Sequence, residues 1–204
     1  MARKRFTILS GPSCVGKGPL VAALNRFHPD VKYAQIPVIK DKRSRPNGPR
    51  PEEVGVWDNP DYFREEAQFR DLRNDPQYLV GDCRMLPQAV DLRKVHETKA
   101  ELLFIEIYHT IGAKLIESRF LTGVEIRTVF VAPIGRQEIK DLRSAGVDLD
   151  GYLTQLMLHK QLVRGSYQGK SVDIKDARER ASLMSTDLPW NHVFTCHRQP
   201  GWGS

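Results

Sequence analysis

At 204 residues with 40% hydrophobic side chains, the chain is long enough for one filled core and too short for a second independent domain. Its three cysteines, Cys14, Cys83 and Cys196, are too few and too scattered for a disulfide framework or a zinc site, so a reducing cytoplasm is the expected setting. The net charge of +6 is dispersed apart from one cluster between Lys40 and Arg50 and carries no interleaved aromatics; with no secretory leader and no membrane-length apolar run expected, this argues against nucleic acid or a membrane as partner and leaves the cluster open between a site for a phosphorylated small molecule and a solvated loop.

Phe6 to Ser10 reads as a first buried strand because apolar and β-branched residues run together. It leads directly into Gly11-Pro12-Ser13-Cys14-Val15-Gly16-Lys17-Gly18-Pro19, after which Leu20, Val21, Leu24 and Phe27 recur at helical spacing. This is G-x-x-x-x-G-K in a strand, loop and helix setting. Glycines at both ends let successive backbone N–H groups converge on phosphate oxygens, the helix start adds partial positive charge, and Lys17 meets the outer phosphates. The loop from Gly11 to Gly18 is therefore the expected ATP phosphate site, with Lys17 also catalytic and Cys14 a small filler. Ser or Thr ordinarily follows the lysine to ligate magnesium, whereas Gly18 and Pro19 stand here. Mg2+ is expected to arrive with ATP, held by nucleotide oxygens, water and another acid, with no dedicated metal site in the protein.

Val31 to Ile39 reads as a second strand and Pro46 to Pro60 as irregular. Leu102 to Tyr108, Thr128 to Ala132 and His192 to Cys196 are further strand candidates; Gln137 to Leu142 and Tyr152 to Val163 read as helices, the latter striped by Leu153, Leu156, Met157 and Val163. Gly165 to Ser171 is expected to be a flexible loop and Asp173 to Met184 a helix. Strands alternating with helices predict an α/β fold with a parallel sheet covered on both faces.

The loop Gly-Pro-Ser-Cys-Val-Gly-Lys differs at one position from the G-P-S-G-V-G-K of guanylate kinases, which the chain resembles over about two thirds of its length. The resemblance implies a P-loop NTPase three-layer sandwich with a central parallel sheet, an acceptor-binding subdomain and a helical lid: core at 1–39, 91–140 and 185–198, acceptor region at 40–90, lid at 141–184. Lys42-Arg43-Ser44-Arg45 through Arg50-Pro51-Glu52-Glu53-Val54-Gly55 looks like a lengthened form of the family's T-T-R-x-x-R-x-G-E-x-x-G segment. That makes Arg43, Arg45, Arg50 and Glu53 candidate acceptor ligands, since guanidinium forks match phosphate geometry. Leu103-Phe104-Ile105-Glu106-Ile107-Tyr108 is similar to the family's L-L-D-I-D, with Glu106 on the first acid and Tyr108 replacing the second. A carboxylate in so apolar a strand is expected to be functional. Gln77-Tyr78-Leu79-Val80-Gly81-Asp82 stands where the family has N-Y-Y-G-[ST], which nominates Tyr78 and Asp82. The family's lid arginines, which clamp the transferring phosphoryl group, are matched by Arg143, Arg178 and Arg180, with Arg164 a further candidate. The stretch between Gly146 and Asp173 is longer than the family pattern. The resemblance implies transfer from ATP to a nucleoside monophosphate, most naturally GMP. Gly18, Pro19 and the altered acceptor segment leave open a binding module without turnover, and a kinase for another small phosphorylated acceptor.

Overall fold

The computed structural model describes residues 4–12, 15–31, 33–168, 174, 177–178, 181–182 and 192–195, and only the backbone of residues 19, 25, 164–168 and 192–195. The chain opens with β1 (Arg5–Ser10), α1 (Lys17–Phe27), β2 (Tyr33–Gln35) and β3 (Ile39–Asp41). β4 (Phe63–Arg64), α2 (Glu66–Asn74), the hairpin of β5 (Tyr78–Cys83) and β6 (Leu86–Asp91), and α3 (Arg93–Glu97) follow. β7 (Leu102–Glu106), α4 (His109–Glu117), β8 (Glu125–Ala132), α5 (Arg136–Ser144), α6 (Leu149–Gln168) and β9 (His192–Thr195) complete the order. Packing divides these into two compact units, Met1–Leu9 with Asp30–Arg127 and Ser10–Pro29 with Thr128–Ser204.

One sheet has the order β2-β7-β1-β8-β9, and its described registers are parallel, with Leu9 level with Glu106 and Val129 level with His192. Strands in such a sheet are covered on both faces, which is why Phe6, Ile8, Leu103, Ile105, Phe130 and Val131 are all buried and why they read as continuous apolar runs. A second sheet has the order β4-β3-β6-β5 and is mixed, with β3 parallel to β4 and antiparallel to β6.

Several expectations change. The run from Val31 to Ile39 is two strands belonging to different sheets, because the chain leaves the β7 ladder after Ile36, at Pro37, and a proline cannot donate to it. Of the first helix's apolar stripe, Leu20 and Val21 are half-buried, whereas Leu24 and Phe27 are exposed and the Arg26 guanidinium lies over the Phe27 ring at 5.6 Å. The segment 46–60 contains a 3-10 helix over Pro51–Val56. Backbone helix continues through Gly165 to Gln168, where a loop was expected. Of the helix expected at 173–184, residues 174, 177–178 and 181–182 are helical and the remainder lies outside the described residues.

In the first unit, Lys4 donates from one ammonium to the carbonyls of Val95, His96 and Thr98, at 2.9, 2.6 and 2.9 Å, and so closes the C-terminal end of α3. Among the described residues, no helix is long and apolar enough to cross a membrane.

Candidate functional site

In the second unit, the backbone leaves β1 through Gly11 at φ 136° and enters α1 through Gly16 at φ 97°, conformations that L side chains rarely adopt. At Gly11 the constraint is double, since a Cβ there would lie 2.2 Å from the Val131 carbonyl oxygen. Val15 anchors the loop by burying its side chain, and Leu20 N donates to Gly16 O at 3.0 Å to begin the helix. The first turn of α1 holds no acid, so the positive end of the helix dipole is left unneutralised. Lys17 Nζ donates to Gly11 O at 2.9 Å and Pro12 O at 2.8 Å, which brings the ammonium back over the loop it follows. A Cβ at Gly18 would meet nothing within 4 Å, and this position supplies no hydroxyl. Ser13 and Cys14 lie outside the described residues. Arg143 is exposed in the last turn of α5, Arg178 is exposed, Arg164 is described by its backbone only, and Arg180 lies outside the described residues. Among the described residues no group of three or more His, Cys, Asp or Glu side chains could hold a metal ion.

In the first unit, a charged cluster forms on the small sheet. Glu53, nearly buried, receives Arg45 Nη2 and Nε at 2.6 Å each and the Arg50 backbone N–H at 3.2 Å. Burial by itself would raise the Glu53 carboxyl, but these hydrogen bonds and the charges of Arg45 and Lys40 outweigh it and hold the group at about 2. Lys40 Nζ lies 3.9 Å from Glu53 Oε1 and 5.8 Å from the centroid of the Phe63 ring. Burial lowers the Lys40 pKa, the like charges of Arg45 and Arg50 lower it further, and Glu53 and Glu106 act in the opposite direction. Lys40, Arg45, Arg50, Glu53 and Glu106 thus share one electrostatic neighbourhood, of which sequence reasoning missed Lys40. The missing signal was register: Lys40 pairs with Phe63 on one side and Gln88 on the other, and Gln88 pairs with Gly81, so this row shares a face.

Three expected acceptor ligands lie on the opposite face. Tyr78 and Val80 pack against Ile39, Phe69, Leu72 and Ala89, on the side covered by α2. Asp82 is there also, 2.7 Å from Arg73 of α2, while the Tyr78 hydroxyl receives Arg93 Nη2 at 2.8 Å. Arg43 is turned to the same side: its guanidinium and backbone N–H hold the buried Asp41 carboxylate, and Nη1 reaches Glu66 of α2 at 2.7 Å. The strand's period of two is the reason, since Lys40 and Asp41 must point oppositely and Asp41 takes Arg43 with it. Glu106 ends β7 as an exposed residue. Tyr108 stands at the N-cap of α4 with its ring 4.4 Å from that of His109, whose pKa burial lowers.

No family model matches the chain. A guanylate kinase of Nostoc sp. is 30% identical over 150 residues, which span 71% of the chain and 68% of that relative. The chain belongs to the guanylate kinase family. A second guanylate kinase, from Synechococcus sp., is 28% identical over 181 residues, 85% of the chain and 72% of the relative. Among solved structures, the guanylate kinase of Anaplasma phagocytophilum superposes with a TM-score of 0.52 at 11% identity, covering 95% of the chain and 77% of that structure. The guanylate kinase fold, a mixed α/β arrangement on a central parallel sheet of the P-loop NTPase type, is therefore retained at low sequence identity. This is a family of nucleoside monophosphate kinases, and the chain carries Gly18 and Pro19 directly after its loop lysine.

Proposed function

We propose that this guanylate kinase family member transfers the terminal phosphoryl group of MgATP to a nucleoside monophosphate, with GMP the leading acceptor and the cytoplasm its setting. The observation that carries the reading is the loop from Gly11 to Lys17, framed by two left-handed glycines and overhung by an ammonium. Backbone N–H groups and Lys17 hold the β- and γ-phosphates, and the charge that develops on the transferring group is met by fixed donors rather than by solvent. In our reading 40–90 is the acceptor region, with Arg45 and Arg50 receiving the acceptor phosphate and Glu53 fixing the Arg45 fork. The segment 141–184 is the lid, whose Arg143, Arg178 and Arg180 close on the γ-phosphate and exclude water, which would otherwise hydrolyse ATP. Magnesium enters as part of the nucleotide substrate. Position 18 offers it no side-chain oxygen, so the nucleotide's phosphates, water and another acid complete its coordination in this reading.

The absent hydroxyl at position 18 also favours a second reading, a module that binds nucleotide without turnover. Purified protein with ATP, magnesium and a panel of monophosphates, followed by ADP release, separates them. Turnover with GMP alone supports the proposal, turnover with a different acceptor reassigns the substrate, and nucleotide binding with no turnover across the panel supports the module.

A further inference from the structure

We propose that Lys40 is a direct ligand of the acceptor's phosphate, a third cation beside Arg45 and Arg50, placed by its register on the small sheet. This inference rests on the kinase reading and adds to it a residue that no loop or acceptor motif contains.

Three observations carry it. First, Lys40 is half-buried, and among the described residues its ammonium makes no hydrogen bond; its one carboxylate contact, Glu53, is 3.9 Å away, beyond hydrogen-bond reach. A partly desolvated ammonium with unused donors is a costly arrangement unless something anionic completes it. Second, Glu53 does not complete it in this arrangement, because Arg45 holds its oxygens at 2.6 Å each and leaves Oε1 at 3.9 Å from the Lys40 ammonium. Third, the neighbours across the strands offer Lys40 no acid. They are an uncharged amide, Gln88, and an aromatic ring, Phe63, while Arg45 is held by Glu53 and Arg50 lies 3.9 Å from Glu52. A phosphate would give the Lys40 ammonium its missing partner, with Lys40 contributing a point charge and Arg45 the geometry of a fork held in place by Glu53.

The arrangement also predicts a pH signature. Only the ammonium form of Lys40 holds a phosphate, and burial together with the neighbouring guanidiniums of Arg45 and Arg50 brings its titration below the ordinary lysine range. Acceptor affinity should therefore weaken on the alkaline side earlier than an ordinary lysine would produce.

The test compares the full-length wild type with Lys40→Met and Lys40→Arg at saturating MgATP while GMP is titrated. Lys40→Met should raise the acceptor KM roughly 10- to 100-fold, the loss expected for one charge-assisted hydrogen bond, with the KM for ATP little changed. Lys40→Arg should recover most of the affinity and move the alkaline rise in acceptor KM to higher pH, whereas in Lys40→Met that rise should vanish. A lysine that only packs against Phe63 would change the melting temperature and leave the pH profile alone. An unchanged acceptor KM and alkaline profile in a folded Lys40→Met protein overturns the proposal; if that variant does not fold, the profile of Lys40→Arg decides in the same way. Should the wild type turn over no monophosphate, the kinase reading falls by itself, and calorimetric titration of GMP into both proteins then decides the inference. Weaker binding by the variant upholds the ligand role, equal binding overturns it, and a wild type that binds no GMP overturns both.

Discussion

At the scale of single residues, Glu53 has the most measurable consequence. Its carboxyl sits at about 2 in the folded protein against an ordinary 4.5. A group whose acid form is disfavoured by folding contributes stability above its unfolded pKa and loses that contribution as pH falls through the folded value. The side chain is largely sheltered, so the contribution amounts to about 3 kcal/mol near neutrality. Urea unfolding of wild type and Glu53→Gln should therefore differ by about this amount at pH 7, and the two should converge as pH drops from 4.5 toward 2. A gap that stays constant over that window would mean that the carboxylate is not held by Arg45 and the Arg50 N–H as described.

At the scale of elements, the β5–β6 hairpin turns through Arg84 at φ 53° and Met85 at φ 65°, and the Met85 side chain is 94% exposed. Two-residue turns of this kind favour Asn and Gly because a Cβ is strained there by about 1 kcal/mol. Met85→Gly should accordingly raise the melting temperature by roughly 2–4 °C without altering the fold. The same turn explains what could not be read beforehand. Tyr78 to Cys83 and Leu86 to Asp91 form a hairpin whose sequence lacks the usual turn residues, and Pro87 interrupts the apolar pattern of β6. β1, β7 and β8 were legible because buried strands write an unbroken apolar run, which needs no partner to be recognised. The small sheet depends on pairings between distant segments, and its register alone separates Lys40 from Asp41 and sends Arg43, Tyr78 and Asp82 to the side of α2. The phosphate loop was legible for the opposite reason, since its chemistry is local and its glycines are adjacent in sequence.

At the scale of the whole molecule, binding adds its free energy to that of folding. With ATP at one hundred times its Kd, the folded state gains about 2.7 kcal/mol. For a chain of this size that corresponds to a rise in melting temperature of roughly 5–10 °C. Lys17→Ala should melt near the wild type without nucleotide and show little of this rise with it, because the ammonium over Gly11 and Pro12 is removed while the glycine framework stays. An equal rise in both proteins would place the nucleotide elsewhere. The fold class was legible over the whole chain from the alternation of strands and helices, and the family from seven loop residues. The division into two compact units was not, because it cuts after Leu9, inside β1, and after Arg127, inside β8, where no linker composition marks a boundary.

The clasp made by Lys4 has its own corollary for how this protein is handled. One amine spans 91 to 94 residues of sequence to satisfy three carbonyls, so a side chain near the start of the sequence fastens a distant helix end. Acylating reagents need an amine free to attack, and Lys4, engaged with three carbonyls, should be modified later than the solvated lysines. Trimming the chain past this point would leave those three oxygens to water and let the end of α3 fray.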